Sequence, residues 1–130
     1  MGKKVLLVMN RKLLSDALIW QSAADSRFAL MVARDYATAA LTAESCSPDI
    51  TLVEIPESGT WKSAGKCLAI CDVIQKHVPN CKQVILCNEK DADSYNAVIQ
   101  AKRENRIADF LFYDSSIQYL FSKLDALTSA

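Results

Sequence analysis

Short apolar runs alternate with segments of helical periodicity along the whole chain. The continuous runs predict five strands, at Val5–Met9, Phe28–Ala33, Ile50–Ile55, Val84–Cys87 and Phe110–Phe112. After each run, apolar residues recur every three or four positions, which predicts five helices. Five strand–helix units in succession are typical of an α/β protein with a parallel sheet that is covered by helices on both faces.

Capping and breaking residues support the predicted helices. The first helix is predicted from four apolar residues at helical spacing, Leu13, Ala17, Trp20 and Ala24. Pro79 and Asn80 end the third helix. Asp91 begins the polar fourth helix, and the segment 114–116 (Asp-Ser-Ser) caps the fifth.

The flavodoxin-like strand order 2-1-3-4-5 suits five such units and predicts a doubly wound sheet in three layers, with right-handed crossovers. We expect residues 1–130 to form a single domain. In this order a crevice lies at the carboxyl ends of strands one and three. Met9, Asn10 and Arg11 stand at the first of these ends and Glu54 stands at the second, so any chemistry is expected there.

Composition narrows the class of function. The 130 residues include 15 Lys and Arg against 15 Asp and Glu, which argues against direct binding of nucleic acid by this domain. The chain has no apolar stretch of membrane-spanning length and no signal-peptide pattern. Five cysteines, an odd number, favour a reducing cytoplasm over a disulfide framework. We interpret them as buried apolar residues rather than metal ligands.

The crevice lacks the residues that phosphoryl transfer to a carboxylate requires, namely an Asp nucleophile, further carboxylates for Mg²⁺ and a cation. Met9 and Asn10 are not anions, Glu54 stands alone, and strand five ends at Tyr113. The three glycines never cluster into a phosphate-binding loop. The residues therefore predict no catalytic group, no bound metal and no Mg²⁺ cofactor.

Four stretches, in this order and spacing, resemble the response-regulator receiver domain, the family of the bacterial chemotaxis regulator. They are Lys3–Val8, Pro48–Glu54, Val84–Cys87 and Phe110–Tyr113. The most specific is the Pro-Asp pair that is followed by four apolar or Thr residues and then an acid. The resemblance implies two-component, phosphorelay-type signal transduction.

The resemblance also assigns positions. The family's paired metal-binding acids fall on Met9 and Asn10, its phospho-accepting Asp on Glu54, its switch Ser or Thr on Cys87, its switch aromatic on Phe110, and its Lys on Tyr113. Most of the working residues are replaced, so the chain resembles a degenerate receiver, or pseudo-receiver. That status implies a non-enzymatic module that acts through protein contacts, with helix 4, strand 5 and helix 5 as the partner face. A homodimer is also left open.

A local hypothesis follows for Glu54. Its carboxylate is expected to pair with Arg11 or Lys12, in the place that a metal would otherwise take, and to accept a hydrogen bond from Asn10. The alternative is that Glu54 is exposed to solvent and has no functional role. Tyr113 either covers the crevice, with its hydroxyl reaching Glu54, or is a simple surface residue.

Other positions carry weaker expectations. Cys87 is expected to be a small buried hydrophobic residue and Phe110 to pack inward, because neither carries a hydroxyl. Trp61 is interpreted as a packed loop residue rather than a lid, and the basic segment 102–106 as a solvated helix end.

Two other functions stay open. One is a phosphorelay receiver that is phosphorylated at an atypical acceptor, and the other is a flavodoxin-like small-molecule binder. The sequence does not identify the partner, the pathway or an output domain.

Overall fold

A five-stranded parallel sheet in the order β2-β1-β3-β4-β5 forms the centre of the molecule. This computed structural model describes residues 2–128; Met1, Ser129 and Ala130, which belong to the predicted domain, lie outside the described residues. The strands are β1 (Lys3–Val8), β2 (Phe28–Ala33), β3 (Ile50–Glu54), β4 (Lys82–Cys87) and β5 (Asp109–Phe112). The helices are α1 (Lys12–Ala23), α2 (Ala39–Cys46), α3 (Ala64–His77), α4 (Ala92–Arg103) and α5 (Ile117–Thr128). A short 3₁₀ turn, Tyr36–Thr38, precedes α2.

The sheet separates two apolar cores. On one face, strand residues such as Leu52 and Val84 pack with Leu18 of α1 and with Leu120 and Leu124 of α5. The other face packs alternate strand residues against α2, α3 and α4. Neighbouring side chains of a strand point to opposite faces, so both cores come from the same continuous apolar runs. The predicted flavodoxin-like, three-layer α/β fold is confirmed.

Polar side chains fix the ends of several helices. Ser63 accepts a hydrogen bond from the Lys66 amide (3.1 Å) at the start of α3. Ser116 accepts one from the Tyr119 amide (3.1 Å) at the start of α5. Each satisfies an amide that the first helical turn leaves unpaired. Asn105 follows α4 with φ of 61°, a left-handed conformation that Asn tolerates better than most residues.

The four apolar residues that predict α1 are not the ones that pack on the sheet. The helix exists, but Leu13, Ala17, Trp20 and Ala24 lie on its exposed side, with Leu13 at 89% and Trp20 at 82% exposure. The buried residues are Ser15 and Leu18, and Leu14 is partly buried against the same core. Both sides of α1 carry apolar residues, so periodicity alone does not identify the side that faces the sheet.

Candidate functional site

Glu54 is the last residue of β3, which lies between β1 and β4 near the middle of the sheet. It pairs in register with Leu86 of β4, and its side chain has no solvent exposure. The carboxyl ends of the strands form the crevice of a doubly wound sheet. A charged group is therefore buried at the position where this fold concentrates its chemistry.

Arg11 is the charged partner of Glu54. It stands between β1 and α1, and its Nε donates a hydrogen bond to Glu54 Oε2. The arginine side chain is 39% exposed, so the pair joins a buried anion to a cation that reaches solvent. Within residues 2–128, Glu54 Oε1 has no hydrogen-bond partner. One carboxylate oxygen is thus bonded to Arg11, and the other has no side-chain donor among these residues within hydrogen-bond distance.

The ring of Tyr113, just beyond β5, covers the other side of Arg11. The guanidinium carbon lies 4.6 Å from the ring centroid, which is cation–π geometry. In the part of the chain that the structure describes, the Tyr113 hydroxyl makes no hydrogen bond to the Glu54 carboxylate. Tyr113 therefore covers the crevice through its ring, without the contact between its hydroxyl and Glu54 that was one of the two alternatives.

Opposing effects act on the carboxylate. Burial raises the pKa of Glu54 above its ordinary value. The Arg11 hydrogen bond and charge, together with the backbone amides of Arg11 and Asn10, lower it by a smaller amount. Burial disfavours the charged form, because protein and ion-pair contacts replace water only in part.

The side chains of the other expected partners lie away from the Glu54 carboxylate. Lys12 is the first residue of α1, and its Nζ lies 2.6 Å from Asp16 Oδ2, one helical turn further on. Asn10 is exposed, and among the described residues its side chain makes no hydrogen bond to the carboxylate. Met9 is fully buried in the core beneath α1 and α5.

Tyr36 also belongs to the site, although the sequence analysis did not identify it. Its hydroxyl donates a 2.6 Å hydrogen bond to the Glu54 carbonyl oxygen, and its ring stacks on Trp61 with centroids 5.7 Å apart. Trp61 packs against the core of α2, α3 and α4 in this way rather than covering the Glu54 carboxylate. The backbone at Glu54 is thus held from the face opposite to α1.

We expect Tyr36→Phe to lower the free energy of unfolding by about 1 kcal/mol, since it leaves the buried Glu54 carbonyl with the weak Cys67 thiol, at 4.0 Å, in place of a hydroxyl donor. Tyr119→Phe is the matched control, because Tyr119 is 53% exposed. Urea denaturation of both variants measures the difference. Equal stability of the two would contradict a structural role for the Tyr36 hydroxyl.

The two positions that the resemblance assigns to switching lie on the face of the sheet that packs against α2, α3 and α4. Cys87 is fully buried, and burial raises the pKa of its thiol to about 11. Phe110 is partly buried beside α4, with ring centroids 6.1 Å from Tyr95 and 5.7 Å from Phe112. Neither side chain faces the Glu54 carboxylate, which lies on the other side of the sheet.

A second charged cluster ties α4, β5 and α5 together. Asp109, the first residue of β5, lies 2.9 Å from Lys102 Nζ and 3.0 Å from Lys123 Nζ. Burial acts to raise the pKa of this carboxyl, yet the hydrogen bonds from the two lysines bring it below its usual range. Two of the three basic residues in segment 102–106 are therefore ion-paired, because Arg106 also meets Asp72 at 2.8 Å, and their side chains remain partly exposed at the end of α4.

No helix within residues 2–128 combines the length and apolar character that crossing a bilayer would take. Over the same residues, no three His, Cys, Asp or Glu side chains are grouped as metal ligands.

Comparison with known proteins identifies the fold. No family model and no curated protein matches this chain. A response regulator from Thermotoga maritima superposes with a TM-score of 0.78, at 17% identity over 100% of both chains. The signal receiver domain of a modulated diguanylate cyclase from Desulfovibrio desulfuricans G20 gives 0.76, at 19% identity over 98% of this chain and 94% of that one.

The chain has the receiver-domain fold. The pilus assembly protein CpaE from Caulobacter crescentus CB15 is similar as well, with a TM-score of 0.69 and 20% identity over 98% of this chain and 95% of that one. In this receiver fold, Arg11, Glu54 and Tyr113 meet at the carboxyl edge of the sheet. A basic–acidic pair under an aromatic ring therefore lies where the sequence resemblance assigns an acidic pocket.

Proposed function

We propose that this receiver-fold chain is a non-enzymatic signal-transduction module, a pseudo-receiver that acts in the cytoplasm through contacts with a protein partner. The observation that carries the proposal is the ion pair between Arg11 and the buried carboxylate of Glu54. Arg11 supplies the pocket with a permanent positive charge, because a guanidinium stays protonated at any physiological pH. No cofactor is required.

The donor set of the pocket does not fit Mg²⁺. This ion takes oxygen ligands in octahedral geometry, and Met9 offers a thioether inside the core, whereas Asn10 is turned to solvent. Among residues 2–128, Glu54 is the single buried carboxylate at the crevice, and one of its oxygens is already bound by Arg11. A cation would have to displace the guanidinium and would gain only one anionic ligand.

The same pair disfavours Glu54 as a phosphate acceptor. Its Oε2 is bound to Arg11, and the whole side chain is shielded from solvent. Glu54 brings one negative charge, whereas a phosphoryl group adds about 1.5 to 2. We infer that the pair fixes the crevice in a single conformation in place of a phosphorylation-dependent one.

We place the partner surface on α4, β5 and α5. There the Lys102–Asp109–Lys123 cluster joins three elements, and Tyr119 is exposed beside it. Phe110 and Tyr95 add a partly buried aromatic group to the same face. The surface is mixed in charge and partly aromatic, as suits a protein partner rather than nucleic acid.

Acetyl phosphate with Mg²⁺ tests the proposal. We expect the intact mass of the chain to stay unchanged after incubation, because the acceptor carboxylate is paired with Arg11 and residues 2–128 contain no group of three side chains that could hold a metal. Gain of one phosphoryl group would overturn the proposal. Repeating the reaction with Glu54→Gln then locates the acceptor, since loss of the gain in this variant would support phosphorelay chemistry at Glu54.

A further inference from the structure

The exposed side of α1 is unusually apolar. Leu13 and Trp20 are 89% and 82% exposed, and Ile19 is 41% exposed. A hollow of about 290 Å³ lies beside Trp20 and is bounded by Ala23 and Ala24. Large apolar side chains grouped with polar residues around them mark interaction sites more often than isolated ones do.

Large and small residues alternate along this stripe. Its members, in order, are Leu13, Ala17, Trp20 and Ala24. The steps of four, three and four residues are those of a coiled-coil seam, which packs against a helix of the same kind. A second antiparallel copy of α1, related by a two-fold axis midway between residues 18 and 19, places Leu13 opposite Ala24 and Trp20 opposite Ala17. Each large side chain then meets a small one, and the same contact is made twice.

The polar residues beside the stripe obey the same symmetry. The two-fold axis sets Asp16 of one copy opposite Gln21 of the other, which combines an acceptor with a donor at both ends of the contact. Lys12 and Asp16 are the two charged residues of α1, so few charges lose water when the helices meet.

We propose that this chain self-associates through α1, with a second copy of the chain as the occupant of the stripe. A tryptophan buries about 200 Å² and the other stripe residues less, so each copy contributes less than the roughly 800 Å² of a standard interface. The dimer is therefore weak and reversible, with a Kd on the order of tens of micromolar. The contact does not involve the Glu54 side chain, and it is separate from the α4, β5 and α5 face.

Sedimentation velocity from about 1 to about 500 µM chain, which brackets that Kd, is the first test. The wild-type sedimentation coefficient is expected to rise with concentration, whereas Trp20→Glu and Leu13→Glu stay monomeric throughout. Leu41→Glu is the matched control, because Leu41 is 66% exposed on α2, and it should dimerise like the wild type. A wild-type chain that stays monomeric, or a dimer that survives Trp20→Glu, would overturn the proposal.

Cross-linking tests the antiparallel geometry independently of those variants. Leu13→Cys and Ala24→Cys are each made in a Cys46→Ser background, since the other four cysteines are buried. Oxidation of the mixture should give a disulfide between the two variants, and each variant alone should give little. Variants that link mainly to themselves would contradict the antiparallel pairing. Circular dichroism on every variant separates loss of association from loss of fold.

Discussion

Met9→Asp is expected to lower the free energy of unfolding by about 3–5 kcal/mol, the cost of leaving a charge buried without a partner. Met9 is fully buried among the residues under α1 and α5, and its amide is bonded to the Ala33 carbonyl at 3.2 Å. A carboxylate there would lose its water and lie one strand away from Glu54, which is also negative. Urea denaturation near neutral pH measures the loss.

Met9→Leu is the control for packing, and we expect it to cost less than about 1.5 kcal/mol because volume and polarity are retained. Adding Mg²⁺ should restore little of the stability of Met9→Asp, since Arg11 already binds the neighbouring carboxylate. Full recovery in Mg²⁺ would contradict the conclusion that the donors at this crevice do not suit the ion. If Met9→Asp were as stable as the wild type without metal, water would have to hydrate the carboxylate at position 9.

Arg11→Met is expected to destabilise the chain by about 2 kcal/mol at about pH 8, less than for a fully buried pair because Arg11 reaches solvent. The pKa of Glu54 is already raised by burial in the folded state. A group whose pKa is higher in the folded state than in the unfolded state contributes its full stability at pH values below the unfolded pKa. That contribution is lost as the pH rises through the folded pKa. Removing Arg11 raises that pKa further, so the loss grows from about pH 5 to about pH 8. Unfolding curves at both pH values measure it.

Glu54→Leu should behave in the opposite way. The variant removes the buried charge, and Arg11 can turn to solvent while it keeps its contact with the Tyr113 ring. We therefore expect unchanged or higher stability and a smaller dependence on pH. In the double variant, the cost of Arg11→Met should largely disappear. A cost that persists without Glu54 would show that Arg11 acts through packing rather than through the ion pair.

The sheet could be predicted because its strands are buried on both faces and read as continuous apolar runs. The orientation of α1 could not be predicted, since apolar residues lie on both of its sides and the core accepts Ser15 in place of Leu13. The sequence analysis also did not identify Asp109. Its carboxylate is stabilised at the start of β5 by Lys102 of α4 and Lys123 of α5, and sequence periodicity does not show contacts between different elements.

The crevice was predicted in position but only partly in its contacts. Arg11 and Lys12 are adjacent cations, and the sequence does not distinguish the one that precedes the helix from the one that begins it. Tyr36 could not be predicted because it lies in a short turn that has no periodic pattern. Its hydroxyl also binds the backbone carbonyl of Glu54, a contact that does not depend on the side chain at position 54.

The distribution of the cysteines gives the molecule a built-in chemical reporter. Four cysteines lie in the core beneath α2, α3 and α4, namely Cys67, Cys71, Cys81 and Cys87. Among residues 2–128, the core on the opposite face of the sheet contains no cysteine. Burial raises the pKa of Cys67 to about 12 and that of Cys81 to about 11, and a protonated, enclosed thiol resists alkylation. The rate of alkylation at these four positions therefore reports local opening of the core beneath α2, α3 and α4. Opening of the core on the other face of the sheet does not change that rate.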